Sequence, residues 1–406
     1  VIDLTRGAPN GHRPDGLPSP GGGPPEGAAR HAGAVRVAVV TDSFLPAVNG
    51  VVRSVLRVLE HLERQGHTAL VVCASPGAPA QVHGAMVVDV PSLGLPGYAE
   101  VRVPLPSATR LRAVLAAFAP DVVHLASPFG LGGTAARAAN GLGVPVVAVY
   151  QTDVAGFASR YPLTARIGSA QEAAWWRVEA IHRRAEVTLA PTETTAAQLR
   201  ARGIPRTRVW ARGVDDLFDP ARRDPALRAA LAPGGEALVG YVGRLAPEKR
   251  LEDLAALAQL PGTRLVVVGD GPSRPRLEAL LPGAAFLGQL SGERLAAAVA
   301  SLDVFVHTGE HETFCQAAQE ALASGVPVVA PAAGGLLDLV DPSRTGWLYA
   351  PGDTLDLRAR VVDLTGDAAK RRAFGEAARE RTRGRTWGAV CDQLVGHYRQ
   401  AAALPV

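Results

Sequence analysis

Short runs of aliphatic and β-branched residues alternate along this chain with Ala- and Arg-rich stretches, and the whole scheme occurs twice. The first series comprises 36–41, 69–74, 86–90, 121–125, 144–150 and 186–189; the second comprises 237–242, 264–268, 284–287, 304–307 and 326–330. An unbroken apolar run too short for a core helix marks a strand buried on both faces, the kind found in parallel sheets. The stretches between them, such as 51–65 (closed by Gly66), 108–118, 134–140 and 165–184, supply helices to cover such a sheet. The chain therefore reads as α/β, with two doubly wound Rossmann-like domains in tandem. Its 406 residues are too many for one ordinary core. The break falls over 215–235, where Pro, Asp and Arg replace any periodic core face.

Three flanking regions complete the division into domains. Residues 1–33 are rich in Gly and Pro without apolar periodicity, and read as a disordered leader or as upstream sequence translated from a misplaced start. The first domain then spans 34–215 and the second 216–385. Residues 367–403 read as two helices interrupted at Gly384-Arg-Thr-Trp387, so that 386–406 is a terminal helix. That helix either caps the second sheet or crosses back to the first domain.

Composition excludes several classes. The formal charge is +4 and no dense basic run or aromatic-interleaved patch occurs, which disfavours nucleic-acid binding. No stretch approaches the roughly 20 apolar residues of a membrane span, and no basic–apolar secretory signal opens the chain. Cys73, Cys315 and Cys391 are far apart and form no CxxC pair, so neither a disulfide framework nor a zinc site is expected and a reducing cytoplasm fits.

Two segments carry chemistry. In Tyr241-Val-Gly-Arg-Leu-Ala-Pro-Glu-Lys-Arg250 a strand ends at Gly243, a cation follows at Arg244, and a helix is expected from near Pro247 with Lys249 in its first turn. Cations are disfavoured at a helix N-terminus, where the macrodipole is already positive. Two of them there make sense around a diphosphate, gripped bidentately by Arg and met by Lys as a mobile point charge. Two exposed surface cations are the plain alternative, although Lys249 and Lys370 are the only lysines in the chain.

The second segment is His307-Thr-Gly-Glu-His-Glu-Thr-Phe-Cys-Gln-Ala-Ala-Gln-Glu320. A strand ends at His307, a loop carries Glu312, and a helix is expected over 315–323. A helical rise of ~1.5 Å per residue would set Glu312 and Glu320 about 12 Å apart. That suits the two ends of an extended nucleotide-sugar, with Glu312 accepting from sugar hydroxyls and Glu320 from ribose hydroxyls. The diphosphate would lie over the helix N-terminus, facing the backbone N–H groups of Phe314, Cys315 and Gln316. A Glu-x7-Glu pair is common on surface helices; its position after a strand and before Gly-Val-Pro and a further strand gives it weight.

With these elements the chain resembles retaining glycosyltransferase family 4 from Arg36 onward. The carriers are Gly243-Arg244…Glu248-Lys249, the turn Val267-Val-Gly-Asp-Gly-Pro272, Glu312…Glu320 and Arg344-Thr-Gly-Trp-Leu348. Thr41-Asp-Ser-Phe-Leu-Pro-Ala-Val-Asn-Gly-Val51 and Val149-Tyr-Gln-Thr-Asp-Val154 look like the actinobacterial GDP-mannose-dependent α-mannosyltransferases, relatives of the phosphatidylinositol mannosyltransferases. The sulfoquinovosyl-lipid synthases share parts of both.

The resemblance implies a GT-B fold, in which the two domains face each other across a cleft, and a donor site in the second domain. It implies that Asn49 and Gly50 let backbone amides approach the donor before the first helix, where a tight strand–helix turn is the alternative. It places His124 at a strand end facing the cleft, against a buried and satisfied histidine. It sets Asp153 towards the acceptor or a donor hydroxyl, against a helix N-cap. One departure stands out: the family commonly has Gly where this chain has Cys315, and nothing near it in sequence suggests a nucleophile.

The implied reaction moves a hexosyl group with retention, by a same-face displacement in which the leaving phosphate helps deprotonate the acceptor. Arg244 and Lys249 would stabilise the charge growing on that phosphate, and Glu312, His124 and Asp153 complete the expected catalytic set. No Asp-x-Asp motif lies at a strand end, so no metal and no cofactor is expected. GDP-mannose is the first-choice donor and a UDP-hexose or UDP-sulfoquinovose the second. The acceptor is expected to be a glycolipid at the cytoplasmic membrane face or a small soluble molecule. Arg102, Arg110 and Arg112, leading a helix with Leu111, Val114, Leu115 and Phe118, either make peripheral contact with anionic lipid or belong to an ordinary sheet-covering helix. A non-catalytic nucleotide-sugar-binding protein is the competing class, disfavoured by the joint presence of Arg244, Lys249, Glu312 and Glu320. A Rossmann dehydrogenase is excluded because no G-x-G-x-x-G follows either first strand.

Overall fold

The computed structural model describes residues 33–404 apart from 48, 96–97, 106, 128–129 and 152–169. The leader reading over 1–33 thus falls, save for Gly33, outside the described residues. So do Asp153 and the first part of the helix expected over 165–184, of which Ala170–His182 is described.

Two parallel sheets account for the two apolar series. The first contains β1 (Arg36–Thr41), β2 (Thr68–Cys73), the short β3 (Gln81–Val82), β4 (Ala85–Asp89), β7 (Val122–Leu125), β8 (Val146–Val149), β9 (Val187–Ala190) and β10 (Thr207–Val209). A separate hairpin joins β5 (Ser92–Leu95) to β6 (Tyr98–Pro104). The first sheet runs β10-β9-β8-β7-β1-β2-β4-β3 and is parallel except for the β3–β4 pair. The second contains β11 (Ala237–Val242), β12 (Thr263–Val268), β13 (Ala285–Gly288), β14 (Val304–Val306), β15 (Val328–Pro331) and β16 (Gly346–Tyr349), in the order β13-β12-β11-β14-β15-β16. Each is covered on both faces: α1 (Gly50–Arg64) lies on one side of the first sheet, and α2 (Ala108–Phe118) and α3 (Gly130–Asn140) on the other.

This strand order decides where a site can form. In each sheet the order reverses beside the first strand, between β1 and β7 and between β11 and β14. The loops leaving those neighbouring strands diverge to opposite faces and open a crevice at the carboxyl edge. Because β11 and β14 are hydrogen-bonded neighbours (Val239 opposite Val304), the loops after Val242 and Val306 meet although some sixty residues separate them.

The chain crosses between the domains twice, and the two crossings lie side by side. Val214 N–H donates to Arg385 O at 2.8 Å, and Val214 bridges Thr386 in parallel. They touch at the backbone: a Cβ on Gly213 would sit 2.6 Å from Trp387 Cα. The second crossing delivers the terminal helix, Trp387–Ala401, onto the first domain. Val390, Cys391, Leu394, Val395 and Tyr398 share one core with Val37, Val39 and Val147. Trp210 Nε1 donates to Val390 O at 2.8 Å, anchoring helix to crossing. Of the two readings of this helix, the structure selects the return to the first domain.

Candidate active site

At the reversal in the second sheet, three side chains gather around the carboxylate of Glu312. Lys249 Nζ lies 2.5 Å from Glu312 Oε1 and His307 Nε2 lies 3.1 Å from the same oxygen. The Cys315 sulfur forms with His307 and Glu312 a group whose donor atoms are all within 4.8 Å of one another. Burial opposes the charge on Glu312, but Lys249 and then His307 outweigh it and hold its pKa well below the usual carboxylate range. Burial likewise pulls Lys249 down, and Glu312 more than restores it. For His307 burial is again overcome, by the Cys315 sulfur and Glu312, which raise it to about 9. Neither ring nitrogen of His307 nevertheless makes an aligned hydrogen bond. The ring stacks on buried Tyr241 at 5.9 Å, and Tyr349 Oη donates to His307 O.

Lys249 does not stand at an α-helix N-terminus, as the sequence reading had it. Pro247–Lys249 is a single 3₁₀ turn, broken by Arg250 at φ +51° before a second 3₁₀ segment, Leu251–Leu257. Arg250 is held there by ion pairs to Asp253 and Glu310. The turn aims Lys249 at Glu312, and Thr308 Oγ1 donating to Lys249 O (2.7 Å) ties the two loops together. Gly243 closes β11 and Arg244 is exposed beside it at the crevice.

The loop bearing Glu312 is fixed by backbone, a feature sequence reasoning missed. Gly335 N–H donates to Glu312 O at 2.7 Å. A Cβ on Gly334 would stand 2.3 Å from Glu312 O, and one on Gly335 2.3 Å from Thr313 O. Only the Gly-Gly pair in Ala332-Ala-Gly-Gly335 lets the next strand's loop approach so closely; that doublet was the available signal. Thr313 then reaches the first domain, its Oγ1 donating to Gln151 O (3.1 Å) while its own carbonyl accepts from Thr192 Oγ1 (3.1 Å).

The helix is Gln316–Ala323, one residue later than expected. Only the last four residues before Glu320 rise helically, so the 12 Å separation inferred from uniform helix does not describe this loop-and-helix segment. Cys315, the N-cap, has φ +74°, a left-handed conformation that Gly adopts freely and L-residues resist. Phe314 is buried beneath it. Gln316 was expected to offer its backbone N–H to the diphosphate and Gln319 was legible only as a helix residue, yet their Nε2 groups donate to Gly213 O and Arg212 O, both at 3.0 Å, fastening this helix to the first crossing. Arg212 is itself nearly inaccessible, bonding Gln151 and Gly50 O. Glu320, buried, has its pKa raised to about 7 by burial, partly offset by Arg53 and Gln316.

Three first-domain expectations come out differently. His124 points not into the cleft but into the core beneath the terminal helix, where its Nδ1 pairs with Tyr398 Oη; burial lowers it to about 3. The alternation of β7 settles this, since His124 shares the face of Val122, which packs with that helix. It is withdrawn as a catalytic group. Asn49 is the N-cap of α1, its Oδ1 accepting from Val52 N–H at 3.0 Å and its Nδ2 donating to Ser43; this is the turn alternative. Gly50 opens α1 with free space where a Cβ would be. The apolar stripe of α2 (Leu111, Leu115, Phe118) is buried against the sheet and offers no face to lipid.

Sequence comparison bears on the same regions. The profile of Glycosyltransferase Family 4 matches residues 48–216, and that of Glycosyl transferases group 1 matches 223–381. The chain is 51% identical over 371 residues to the GDP-mannose-dependent alpha-mannosyltransferase of Mycolicibacterium smegmatis, covering 90% of this chain and 97% of that one. It is 34% identical to the sulfoquinovosyl transferase SQD2 of Arabidopsis thaliana, over 89% and 73% of the two. Among solved structures, sucrose-phosphate synthase from Thermosynechococcus elongatus superimposes with a TM-score of 0.73 at 24% identity, covering 91% of this chain and 99% of that one. The fold is GT-B.

The raised pKa of Glu320 has a consequence for stability. An acid whose pKa rises on folding holds its proton more tightly in the native state. The cost of its ionisation is therefore absent below the ordinary value of 4.5, grows up to about 7, and is complete above that. Glu320→Gln, which removes the charge and keeps the shape, is expected to raise the melting temperature by roughly 5 °C at pH 8 and by far less at pH 5. Equal changes at both pH values would show that the carboxylate bears no such penalty.

Proposed function

This chain belongs to glycosyltransferase family 4, and on that premise we propose that it transfers mannose from GDP-mannose to an acceptor hydroxyl with retention at the anomeric carbon. The observation that carries the reading is the Lys249–Glu312 pair at the strand-order reversal, with Arg244 beside it and Glu320 about one turn along the adjoining helix. Lys249 rests against Glu312. A bound nucleotide-sugar gives each a new partner: Lys249 turns to the diphosphate with Arg244, and Glu312 accepts from sugar hydroxyls. Glu320 accepts from the ribose. The full-length similarity to an enzyme named for GDP-mannose supports that donor. Similarity to SQD2 supports a UDP-sugar such as UDP-sulfoquinovose as the second reading.

In the proposed step the bond from the anomeric carbon to the phosphate oxygen breaks while the acceptor oxygen forms its bond on the same face. The acceptor proton passes to an oxygen of the leaving diphosphate, so no protein nucleophile is required. Lys249 and Arg244 supply the positive charge that a metal supplies elsewhere, and preorganised charge of this kind is worth about 3 kcal/mol per donor. We place the acceptor in the first-domain side of the cleft and propose a glycolipid. With the α2 stripe buried, support for a lipid surface narrows to exposed Leu93 and to exposed Leu105, which lines a cavity with Arg110.

Three measurements test these statements. Of a panel of nucleotides and nucleotide-sugars, GDP and GDP-mannose are expected to raise the melting temperature selectively, because a ligand of the native state alone must stabilise it. A selective response to UDP-sugars moves the protein to the second reading, and no response from folded protein removes the donor site. Mannosyl transfer is expected to survive excess chelator undiminished; its loss would make the reaction metal-dependent. Arg110→Glu with Arg112→Glu is expected to weaken binding to anionic liposomes several-fold, and unchanged binding would end the lipid-surface proposal.

A further inference from the structure

His307 is a buried imidazole whose nitrogens make no aligned hydrogen bond, its Nε2 lying 3.1 Å from Glu312 Oε1. Next to it lie a buried thiol, Cys315, and the carboxylate of Glu312, with all three donor atoms within 4.8 Å. Imidazole nitrogen, thiolate sulfur and carboxylate oxygen are together the donor set of a borderline-soft divalent cation. Zinc-class ligand bonds of ~2.0–2.3 Å bring donors to within ~4 Å of each other, so only a small contraction is needed. Three protein ligands leave a fourth position for water or an anion.

We propose that His307, Glu312 and Cys315 form a binding site for a thiophilic divalent cation of the zinc class, and that its occupation blocks the transferase. Coordination releases the thiol proton of Cys315 and one imidazolium proton of His307 to solvent and displaces Lys249 Nζ from Glu312 Oε1. Lys249 is free to swing outward, since its side chain is 23% exposed against 3% for His307. The cation and the sugar then compete for one carboxylate. The site owes its soft ligand to the Cys that stands at φ +74° where Gly would be at ease. Metal binding does not depend on which nucleotide-sugar is the donor; only its inhibitory effect rests on the donor-site reading above.

The test uses the full chain, free of any histidine tag, titrated with Co²⁺ alone. The wild type is expected to show a near-ultraviolet thiolate-to-cobalt charge-transfer band with tetrahedral visible bands, saturating at one equivalent and abolished by added Zn²⁺. Cys315→Gly, whose backbone suits glycine, is expected to lose the band. His307→Gln, which keeps the thiol, is expected to bind at least roughly tenfold more weakly. Zinc is expected to inhibit transfer in the wild type, with roughly tenfold more needed for half-inhibition of Cys315→Gly. Absence of the band, or a band unchanged in both variants and hence owed to Cys73 or Cys391, overturns the site. Zinc binding that leaves transfer unaffected overturns the inhibition. A chain that binds cobalt in this way yet no nucleotide upholds the metal site and defeats the donor reading instead.

Discussion

Glu312 is a carboxylate drawn largely out of solvent, and the contact with Lys249 at 2.5 Å is what keeps it ionised there. Removing one partner of such a pair leaves the other charge buried and unpaired, which is far more costly than the pair is favourable. The surrounding architecture serves that contact. The strand-order reversal brings β11 and β14 together, the 3₁₀ turn at Pro247–Lys249 aims the ammonium, and the Gly334–Gly335 backbone holds the carboxylate loop from behind. Thr313 extends the same loop to Gln151 and Thr192 in the first domain, so the position of Glu312 is coupled to how the domains meet.

Much of this was legible in the sequence, because buried parallel strands need unbroken apolar runs. The boundaries of β1 and β11 fall where those runs do, and the others shift by a residue or two. β10 and β16 escaped notice: β10 is three residues, two of them exposed, and β16 depends on Gly346, where a Cβ would sit 1.9 Å from Val328 O. The gathering of Lys249 with Glu312 followed from motif spacing and sheet order. Their direct pairing did not, because it depends on a 3₁₀ turn whose sequence, Pro-Glu-Lys, starts an α-helix equally well. His124 was misplaced for a different reason. A histidine at a strand end is ambiguous until the covering element is known, and here that element is a helix from the opposite end of the chain.

The region between the domains is held by amide side chains more than by charge. Gln316 and Gln319 fasten the Glu320 helix to the first crossing through backbone carbonyls, and Gln151 takes up the buried Arg212 guanidinium. Desolvation lowers Arg212 to about 10, still far above neutrality, so it remains a fixed cation near the opening of α1. None of Gln151, Gln316, Gln319 and the permanently charged Arg212 titrates near neutrality. Acid sensitivity near neutrality is left to Glu320 alone within this group of residues.

The terminal helix has a bearing on how the protein is made. A ribosome delivers chains from the N-terminus, and domains ordinarily fold as units while synthesis continues. Here the first domain lacks part of its own core until Trp387–Ala401 has emerged. Before that, the surfaces around Trp210, His124 and Val39 have no cover. The second domain, whose last strand ends at Tyr349, has all its strands while the first still waits. The part synthesised earliest is thus completed last, and a nascent chain stalled anywhere in its final helix would carry a finished donor-side domain tethered to an unfinished partner.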